Sequence, residues 1–198
     1  MLNVAGHTCR SLLYLAPGIP IVFLHGLSYT VDVWERLGVL ALLKQKKVSY
    51  LALDMPYGAK SECQPKTRDV EVNIAVAREA VSSTFGNVVP IIVGSSIGGH
   101  MALEYAARYP VKGLLLTSPV RALQETLVKA YAGFKFPIRI IFGSEDRIVS
   151  LEEMRTLSDK LPNSKLKIYQ SAGHSAYVNR PDLFKQDLME LYAKAEQN

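Results

Sequence analysis

The sequence predicts an α/β protein built on a doubly wound, mostly parallel β-sheet. Short apolar segments typical of buried strands alternate with longer helix-compatible segments along the chain, and such alternation is typical of parallel sheets covered by helices on both faces. With 198 residues, of which 48% are hydrophobic, the chain can bury one sizeable core. No linker, repeat or low-complexity tract divides it, so we predict a single domain over residues 1–198.

The predicted elements follow one another closely. Short opening strands are expected within residues 4–15. The later strands, which are apolar and often β-branched, are predicted at residues 19–24, 48–53, 88–93, 111–117, 138–142 and 165–169. The helices are predicted at residues 31–43, 69–85, 97–109, 122–132, 151–161 and 183–195. Ligands of such folds bind at the carboxyl ends of the strands, which is where candidate functional residues should lie.

One strand runs directly into the most informative motif, Gly-Ser-Ser-Ile-Gly at residues 94–98. Its spacing is that of a nucleophile elbow, a strained turn from strand to helix whose crowded backbone requires small residues two positions before and after the serine. Ser96 has Gly94 and Gly98 at these positions, whereas Ser95 has Val93 and Ile97 there. Ser96 is therefore the predicted nucleophile, and a glycine-rich turn without chemistry is the alternative.

A serine hydroxyl needs a base to take its proton and an acid to orient that base. In this fold the acid and the histidine follow the serine in that order, each in a loop after a strand. Asp146 follows the strand at 138–142, and His174 follows the strand at 165–169. We predict Asp146 as the acid and His174 as the base, and Glu145 stays open as an alternative acid.

The remaining three histidines lie outside the loop in which the base is expected. These are His7, His25 and His100. We predict that each of them is structural or exposed rather than catalytic.

The reaction also needs two backbone amides that stabilise the oxyanion of the tetrahedral intermediate. The amide of Ile97, directly after the nucleophile, is the first candidate. The second is the amide of Leu27, in the His-Gly-Leu loop that follows the strand at 19–24. Without the other residues, this loop reads as an ordinary turn at the end of a strand.

These residues carry a resemblance to a known superfamily. The motifs are Phe-Leu-His-Gly at 23–26, Trp34, Asp-Met-Pro at 54–56, Gly-Ser-Ser-Ile-Gly at 94–98, Gly-Ser-Glu-Asp at 143–146 and Gly-His at 173–174. Through them the chain resembles serine hydrolases of the α/β-hydrolase fold from end to end. Within that superfamily it is most similar to the small lidless animal proteins of hydrolase-domain group 14. The resemblance implies a Ser-Asp-His triad that requires no cofactor and no metal.

The chain departs from its relatives after the Asp-Met-Pro turn. Relatives usually read Pro-Gly-x-Gly-x-Ser there, but residues 56–61 read Pro-Tyr-Gly-Ala-Lys-Ser and lack both of those glycines. The resemblance implies that this loop borders the site entrance. Tyr57 could therefore contribute to the shape of the substrate site, but an exposed loop tyrosine is the favoured expectation.

Only residues 118–137 separate the strand after the elbow helix from the strand that bears the acid, which leaves room for one helix. We therefore predict a fold without a cap domain and a site open to solvent. The predicted function is a carboxylesterase-type serine hydrolase that cleaves small, short-chain acyl esters with water through an acyl-Ser96 intermediate. Thioester, amide and peroxide-dependent acyl transfer stay open. The alternative from another class is a ligand-binding or adaptor protein that keeps the triad but turns over slowly or not at all.

The net charge of +5 does not by itself indicate a nucleic-acid-binding protein. The basic residues gather at Lys44, Lys46, Lys47, Lys66 and Arg68. They are not interleaved with aromatic residues and form no nucleic-acid motif, so we expect no nucleic-acid partner. Attraction to anionic substrates is the better expectation.

Composition favours a cytoplasmic protein that does not cross a membrane. Proline and glycine at Pro17, Gly18 and Pro20 interrupt the apolar segment 12–24, which therefore predicts two strands around a turn rather than a membrane span or a signal segment. Cys9 and Cys63 lack metal or redox spacing, and free thiols are the simpler expectation, although a disulfide stays open. The oligomeric state is not predicted.

Overall fold

The computed structural model describes residues 1–197. Its strands are β1 (Leu2–Val4), β2 (His7–Cys9), β3 (Ser11–Tyr14), β4 (Ile21–Leu24), β5 (Tyr50–Leu53), β6 (Ile91–Ser95), β7 (Gly113–Thr117), β8 (Ile138–Gly143) and β9 (Ser164–Tyr169). Its helices are α1 (Asp32–Arg36), α2 (Val39–Gln45), α3 (Val70–Phe85), α4 (Ile97–Arg108), α5 (Glu125–Tyr131), α6 (Leu151–Lys160), α7 (Ala176–Asn179) and α8 (Pro181–Glu196).

Seven strands form the central sheet in the order β3-β5-β4-β6-β7-β8-β9. Strand β3 runs antiparallel to β5, and every other neighbouring pair in this sheet is parallel. Strands β1 and β2 form a separate antiparallel pair. The prediction of a doubly wound, mostly parallel sheet is confirmed, and one helix, α5, lies between β7 and β8 where a cap domain could have been inserted.

The direction in which successive strands are added to the sheet reverses after β5, and β4 lies at the switch point. From β4 the chain moves outward to β5 and then returns to the other side of β4 as β6, so that Leu24 is in register with Gly94. The connections that leave β4 and β6 therefore diverge above the carboxyl ends of two neighbouring strands. Such a switch point opens a crevice in an α/β sheet.

Both faces of the sheet are covered because alternate strand residues point to opposite sides. On one face, Val22 and Leu24 belong to a buried cluster that includes α3, α4 and α5. On the other, Ile21 and Phe23 pack in a cluster with α1, α2 and α8. Trp34 of α1 stacks on Tyr177 and Phe184 in this second cluster.

Side-chain caps mark the N-termini of α3 and α6. Asp69 caps α3 by accepting a hydrogen bond from the Val72 amide at 2.9 Å. Ser150 and Glu153 form a capping box at the start of α6.

The continuous helix predicted for residues 31–43 is wrong, because Gly38 takes a left-handed conformation (φ 70°) and divides it into α1 and α2.

The expectation of two free thiols is also wrong, because Cys9 and Cys63 form a disulfide. The backbone explains their meeting: Thr8 and Gln64 exchange hydrogen bonds of 2.8 and 3.0 Å, which place the segment before α3 beside β2. Both cysteines are fully buried.

Residues 1–197 contain neither a helix that could span a membrane nor a cluster of side chains that could hold a metal ion. None of the helices in this range has the length and apolarity needed to cross a membrane. No group of three or more His, Cys, Asp or Glu side chains in the same range is arranged to hold a metal ion.

Candidate active site

Ser96 lies on the sharp turn between β6 and α4. Its backbone is strained, with φ 54° and ψ −116°, as expected for a nucleophile elbow. A Cβ on Gly94 would collide with the backbone of Gly98, and a Cβ on Gly98 would collide with the carbonyl of Leu24. Both flanking glycines are therefore required sterically, which is the reason for their spacing in the sequence.

The structure brings Ser96, His174 and Asp146 together. The Nε2 atom of His174 lies 2.9 Å from the Oγ of Ser96, and its Nδ1 lies 2.9 and 3.1 Å from the two carboxylate oxygens of Asp146. With Asp146 ionised, Nδ1 carries the proton that it donates to the carboxylate, and Nε2 is left as an acceptor for the serine hydroxyl. The arrangement can remove a proton from Ser96.

Asp146 follows β8 and is held by the backbone of its own loop. Its Oδ1 accepts hydrogen bonds from the amides of Ile148 at 2.8 Å and Val149 at 3.2 Å. Burial by itself would raise the pKa of Asp146, but the Ile148 amide, the Ser118 hydroxyl, His174 and the Val149 amide together outweigh it and lower the pKa below its ordinary value. The carboxylate is thus kept ionised beside the imidazole. Glu145, the alternative acid, is exposed, and its amide bonds to the carbonyl of Ala172.

Hydrogen bonds join the segment that carries Asp146 to the segment that carries His174, and they join the latter to helix α7. The Ser144 amide donates to the carbonyl of Tyr169 at 2.9 Å. The Gly173 amide, next to His174, donates to the Oδ1 of Asn179 at 3.0 Å. Sequence reasoning missed Asn179, which lies in the short helix α7 and has no motif of its own.

Ile97 and Leu27, the two predicted oxyanion-hole residues, line the same cavity as Ser96. Ile97 is the first residue of α4, a position whose amide has no acceptor inside the helix. The carbonyl of Leu27 accepts a hydrogen bond of 2.8 Å from the Ala59 amide. This bond ties the loop after β4 to the loop that lacks the two glycines of the relatives.

His25 is fully buried and lies outside the group around Ser96. Its Nδ1 lies 2.8 Å from the carbonyl of Gly26, and its Nε2 accepts a hydrogen bond of 3.0 Å from the Met55 amide. Because an amide can only donate, Nε2 must be unprotonated and Nδ1 must carry the proton. Burial lowers the pKa of His25, which agrees with this neutral form.

Tyr57 corrects an expectation from the sequence. The sequence favours an exposed loop residue at this position, yet Tyr57 is only 4% exposed and lines the cavity around Ser96. Its hydroxyl donates a hydrogen bond of 2.6 Å to the carbonyl of His25. The physical reason is that the buried carbonyl at the end of β4 needs a donor, and a side chain at position 57 reaches it where glycine could not.

The other two histidines also lie outside the group around Ser96. His7 is in β2, where its Nδ1 lies 2.9 Å from the carbonyl of Ala5. His100 is buried in α4, with its Nε2 3.9 Å from Glu104. Within the described residues neither imidazole has a hydrogen bond or ion pair with Ser96, Asp146 or His174; the backbone amide of His100 donates to the Ser96 carbonyl at 3.1 Å.

The cavity beside Ser96 has a volume of about 550 Å³ and opens to solvent. Its apolar lining comes from four connections of the sheet and from α4. The aliphatic and thioether side chains in that lining are Leu27, Val70, Ile97, Met101, Val120 and Ile148. Leu27 and Ile148 are 40% and 67% exposed, so they form an apolar rim at its mouth.

Comparison with known proteins agrees with this fold and connectivity. The chain is 30% identical over 168 residues to the human protein ABHD14A, a match that covers 84% of this chain and 61% of that protein. It is 25% identical over 175 residues to human "Putative protein-lysine deacylase ABHD14B", covering 86% of this chain and 81% of that protein. The chain therefore spans about three fifths of the length of ABHD14A.

Solved structures share the fold. A CIB-like hydrolase from Thermoplasma acidophilum superposes with a TM-score of 0.84 at 20% identity, over 95% of this chain and 93% of that one. The esterase EaEST from Exiguobacterium antarcticum gives a TM-score of 0.77 at 14% identity, over 94% and 95% of the two chains. Residues 21–140 match the sequence profile of the Alpha/beta hydrolase family. Since that match extends from β4, through the switch point and the elbow, into β8, the chain belongs to the alpha/beta hydrolase family.

Proposed function

We propose that this hydrolase is a serine esterase of the carboxylesterase type, with Ser96, His174 and Asp146 as its catalytic triad. The observation that carries the proposal is the continuous hydrogen-bonded chain from the Ser96 hydroxyl through His174 to the Asp146 carboxylate. Three residues from three separate loops meet in the order that acyl transfer requires. Membership of a hydrolase family supports the same reaction class.

In this proposal, Ser96 Oγ attacks the ester carbonyl while Nε2 of His174 takes the hydroxyl proton. The Leu27 and Ile97 amides stabilise the oxyanion, and Asp146 stabilises the imidazolium. Collapse of the intermediate breaks the bond to the alcohol, to which His174 returns the proton, and leaves acyl-Ser96. Water, deprotonated by His174, then attacks the acyl carbon and regenerates the free serine. The partners of the protein are thus a small acyl ester and water.

The form of the cavity supports a preference for short acyl groups. About 550 Å³ must receive both the acyl and the leaving group, and α5 alone occupies the place of a cap between β7 and β8. A long acyl chain would extend past Leu27 and Ile148 into solvent, where its methylene groups gain no transfer free energy.

An amide substrate is the second candidate. The human relative bears the name "Putative protein-lysine deacylase ABHD14B". The open mouth beside Leu27 and Ile148 would admit an acylated side chain presented by another protein. Amide cleavage would use the same triad, with His174 donating its proton to a departing amine.

A fluorophosphonate probe tests the proposal. Wild-type protein should become labelled on Ser96 within minutes, and Ser96→Ala should abolish labelling. Ser95→Ala is the matched control because Ser95 is the adjacent serine but is buried at the end of β6; it should retain labelling. Absence of labelling in the folded wild-type protein would favour the non-catalytic binding or adaptor alternative.

A further inference from the structure

Two arginines lie in the wall of the cavity that contains Ser96 and His174. Arg68 is in the segment that leads into α3, and Arg121 is in the connection between β7 and α5. The two come from different parts of the chain. Aspartate and glutamate are absent from the described lining of this cavity, so apart from His174 its ionisable lining consists of tyrosines and these two cations.

Arg121 is connected to the nucleophile through the backbone. The amide of Val120, its neighbour, donates a hydrogen bond of 3.3 Å to the carbonyl of Ser96. The Gln124 amide bonds to the carbonyl of Arg121 itself at 3.4 Å. These hydrogen bonds hold the backbone at Arg121 in place relative to the elbow that carries Ser96.

The backbone at Arg68 is also held by hydrogen bonds. The Thr67 amide donates to the carbonyl of Pro56 at 3.3 Å, and the next residue, Asp69, caps α3. Because the Asp69 carboxylate accepts the Val72 amide hydrogen bond, the acid next to Arg68 in sequence is already engaged.

Neither guanidinium has a protein partner within residues 1–197. The ion pairs formed by arginines in that range involve Arg10, Arg108 and Arg139, and the side-chain hydrogen bonds of the same range include none from Arg68 or Arg121. Both residues are exposed, and both belong to the lining of the cavity. A planar guanidinium presents paired donors that match a carboxylate.

We propose that the substrate carries a second, free carboxylate, and that Arg68 and Arg121 select it. This inference rests on the proposed esterase function and narrows it to esters whose acid or alcohol part bears that carboxylate. The carboxylate binds to one or both guanidinium groups while the ester carbonyl lies at Ser96. No bond to the carboxylate forms or breaks.

Two pairs of esters test whether a free carboxylate is selected, one pair with the charge on the acyl part and one with the charge on the leaving group. The first pair is 4-nitrophenyl hydrogen glutarate and 4-nitrophenyl methyl glutarate, which differ in a charge on the acyl part. The second is 4-acetoxybenzoate and methyl 4-acetoxybenzoate, which differ in a charge on the leaving group. For each pair the measured quantity is the ratio of kcat/KM for the charged ester to that for the neutral one, after subtraction of the uncatalysed rate.

At least one of the variants Arg68→Gln and Arg121→Gln should lower this ratio by about tenfold in at least one pair, as expected for the loss of a charge-assisted hydrogen bond. Arg155→Gln is the control, because Arg155 is an exposed residue of α6 outside the cavity and the substitution removes the same charge; it should leave the ratio within twofold. Since salt screens exposed charges, the wild-type ratio should also fall as ionic strength rises.

A binding measurement keeps the inference testable without turnover. In Ser96→Ala protein, titration calorimetry should detect glutarate but not the neutral analogue glutaramide, and the double variant of both arginines should lose the glutarate signal. Equal ratios in wild type and arginine variants, or equal binding of the two analogues, would overturn the selection. Labelling of Ser96 by fluorophosphonate together with such a result would overturn it while leaving the esterase proposal intact. Failure of labelling with preserved glutarate binding would overturn only the esterase proposal.

Discussion

The hydroxyl of Tyr57 donates a 2.6 Å hydrogen bond to the main-chain carbonyl of His25. This contact joins the loop after β5 to the loop after β4, which presents the proposed oxyanion donor Leu27. A second bond, from the Ala59 amide to the Leu27 carbonyl at 2.8 Å, joins the same two loops. The segment that lacks the glycines of its relatives thus supports the geometry of the candidate active site.

Replacing Tyr57 with phenylalanine tests this support. The change keeps the ring but leaves the buried carbonyl of His25 without its donor, so we expect the free energy of unfolding to fall by about 1–3 kcal/mol. If the carbonyl positions Leu27, kcat for a small ester should also fall, by roughly tenfold, while KM changes little. Urea denaturation and steady-state kinetics measure the two effects.

Tyr14→Phe is the control for that experiment. Tyr14 is in the edge strand β3, remote from the cavity, and its substitution should change the unfolding free energy by less than about 0.5 kcal/mol. A Tyr57→Phe protein as stable and as active as the wild type would show that the hydrogen bond has no supporting role.

His25 makes the stability of the fold depend on pH. In the folded protein, burial lowers the pKa of His25, and the hydrogen bond that its Nε2 accepts from the Met55 amide needs the neutral ring. The unfolded chain binds the proton with a pKa of about 6.5, so below that value the unfolded state takes up more protons than the folded state. Stability should therefore be fully present above about pH 6.5 and decline as the pH falls towards the lowered pKa.

The measurement is the free energy of unfolding in urea between pH 8 and pH 5. His25→Gln should be less stable at pH 8 but should show a smaller decline on acidification than the wild type. His7→Gln is the matched control and should keep the wild-type slope, because His7 lies in β2 away from this network. A wild-type slope in His25→Gln would contradict the assignment.

The elbow and the order of the triad could be predicted because they depend on short-range information. Ser96 is identified by its two flanking glycines, and Asp146 and His174 are identified by the strands that precede them. The sheet class follows in the same way from the alternation of apolar runs. The structure brings these three residues together as the sequence indicated, and their catalytic roles stay a proposal.

What could not be predicted depends on contacts between distant segments. The burial of Tyr57 requires the carbonyl of His25, 32 residues away. The Cys9–Cys63 pairing spans 54 residues and follows from a backbone bridge between Thr8 and Gln64. A local exception is Gly38, which could have been suspected as a helix break but lies in a segment whose apolar pattern continues across it.

Asp146→Asn should depress the reaction with little effect on folding. The amide is isosteric with the carboxylate but can favour the wrong imidazole tautomer and cannot stabilise the imidazolium, so we expect kcat to fall by roughly 10³–10⁴-fold. Glu145→Gln is the adjacent control and should remain close to wild-type activity, since Glu145 is exposed and His174 bonds to Asp146. The opposite pattern in steady-state ester hydrolysis would assign the acid to Glu145.

The open cavity predicts how activity depends on the length of the acyl chain. Val70, Met101 and Val120 provide apolar contacts near Ser96, but the mouth has no cap, and Ile148 at its rim is 67% exposed. Each methylene group that stays in water forgoes about 0.8 kcal/mol of transfer free energy. Among neutral esters, kcat/KM should be highest for acyl groups of about two to four carbons, with a plateau or decline from about six, because the added methylene groups would lie in solvent.

A series of 4-nitrophenyl esters from acetate to palmitate measures this dependence. Because α5 alone fills the place of a cap, no segment has to move away at a lipid–water interface, and the rate should show no jump when an ester passes its solubility limit. The same series measured with Ile148→Ala tests the contribution of the apolar rim. Loss of the Ile148 side chain should lower kcat/KM for esters of intermediate length more than for acetate. A steady rise of kcat/KM up to twelve carbons in the wild type would instead reveal an apolar acyl channel and indicate a lipase.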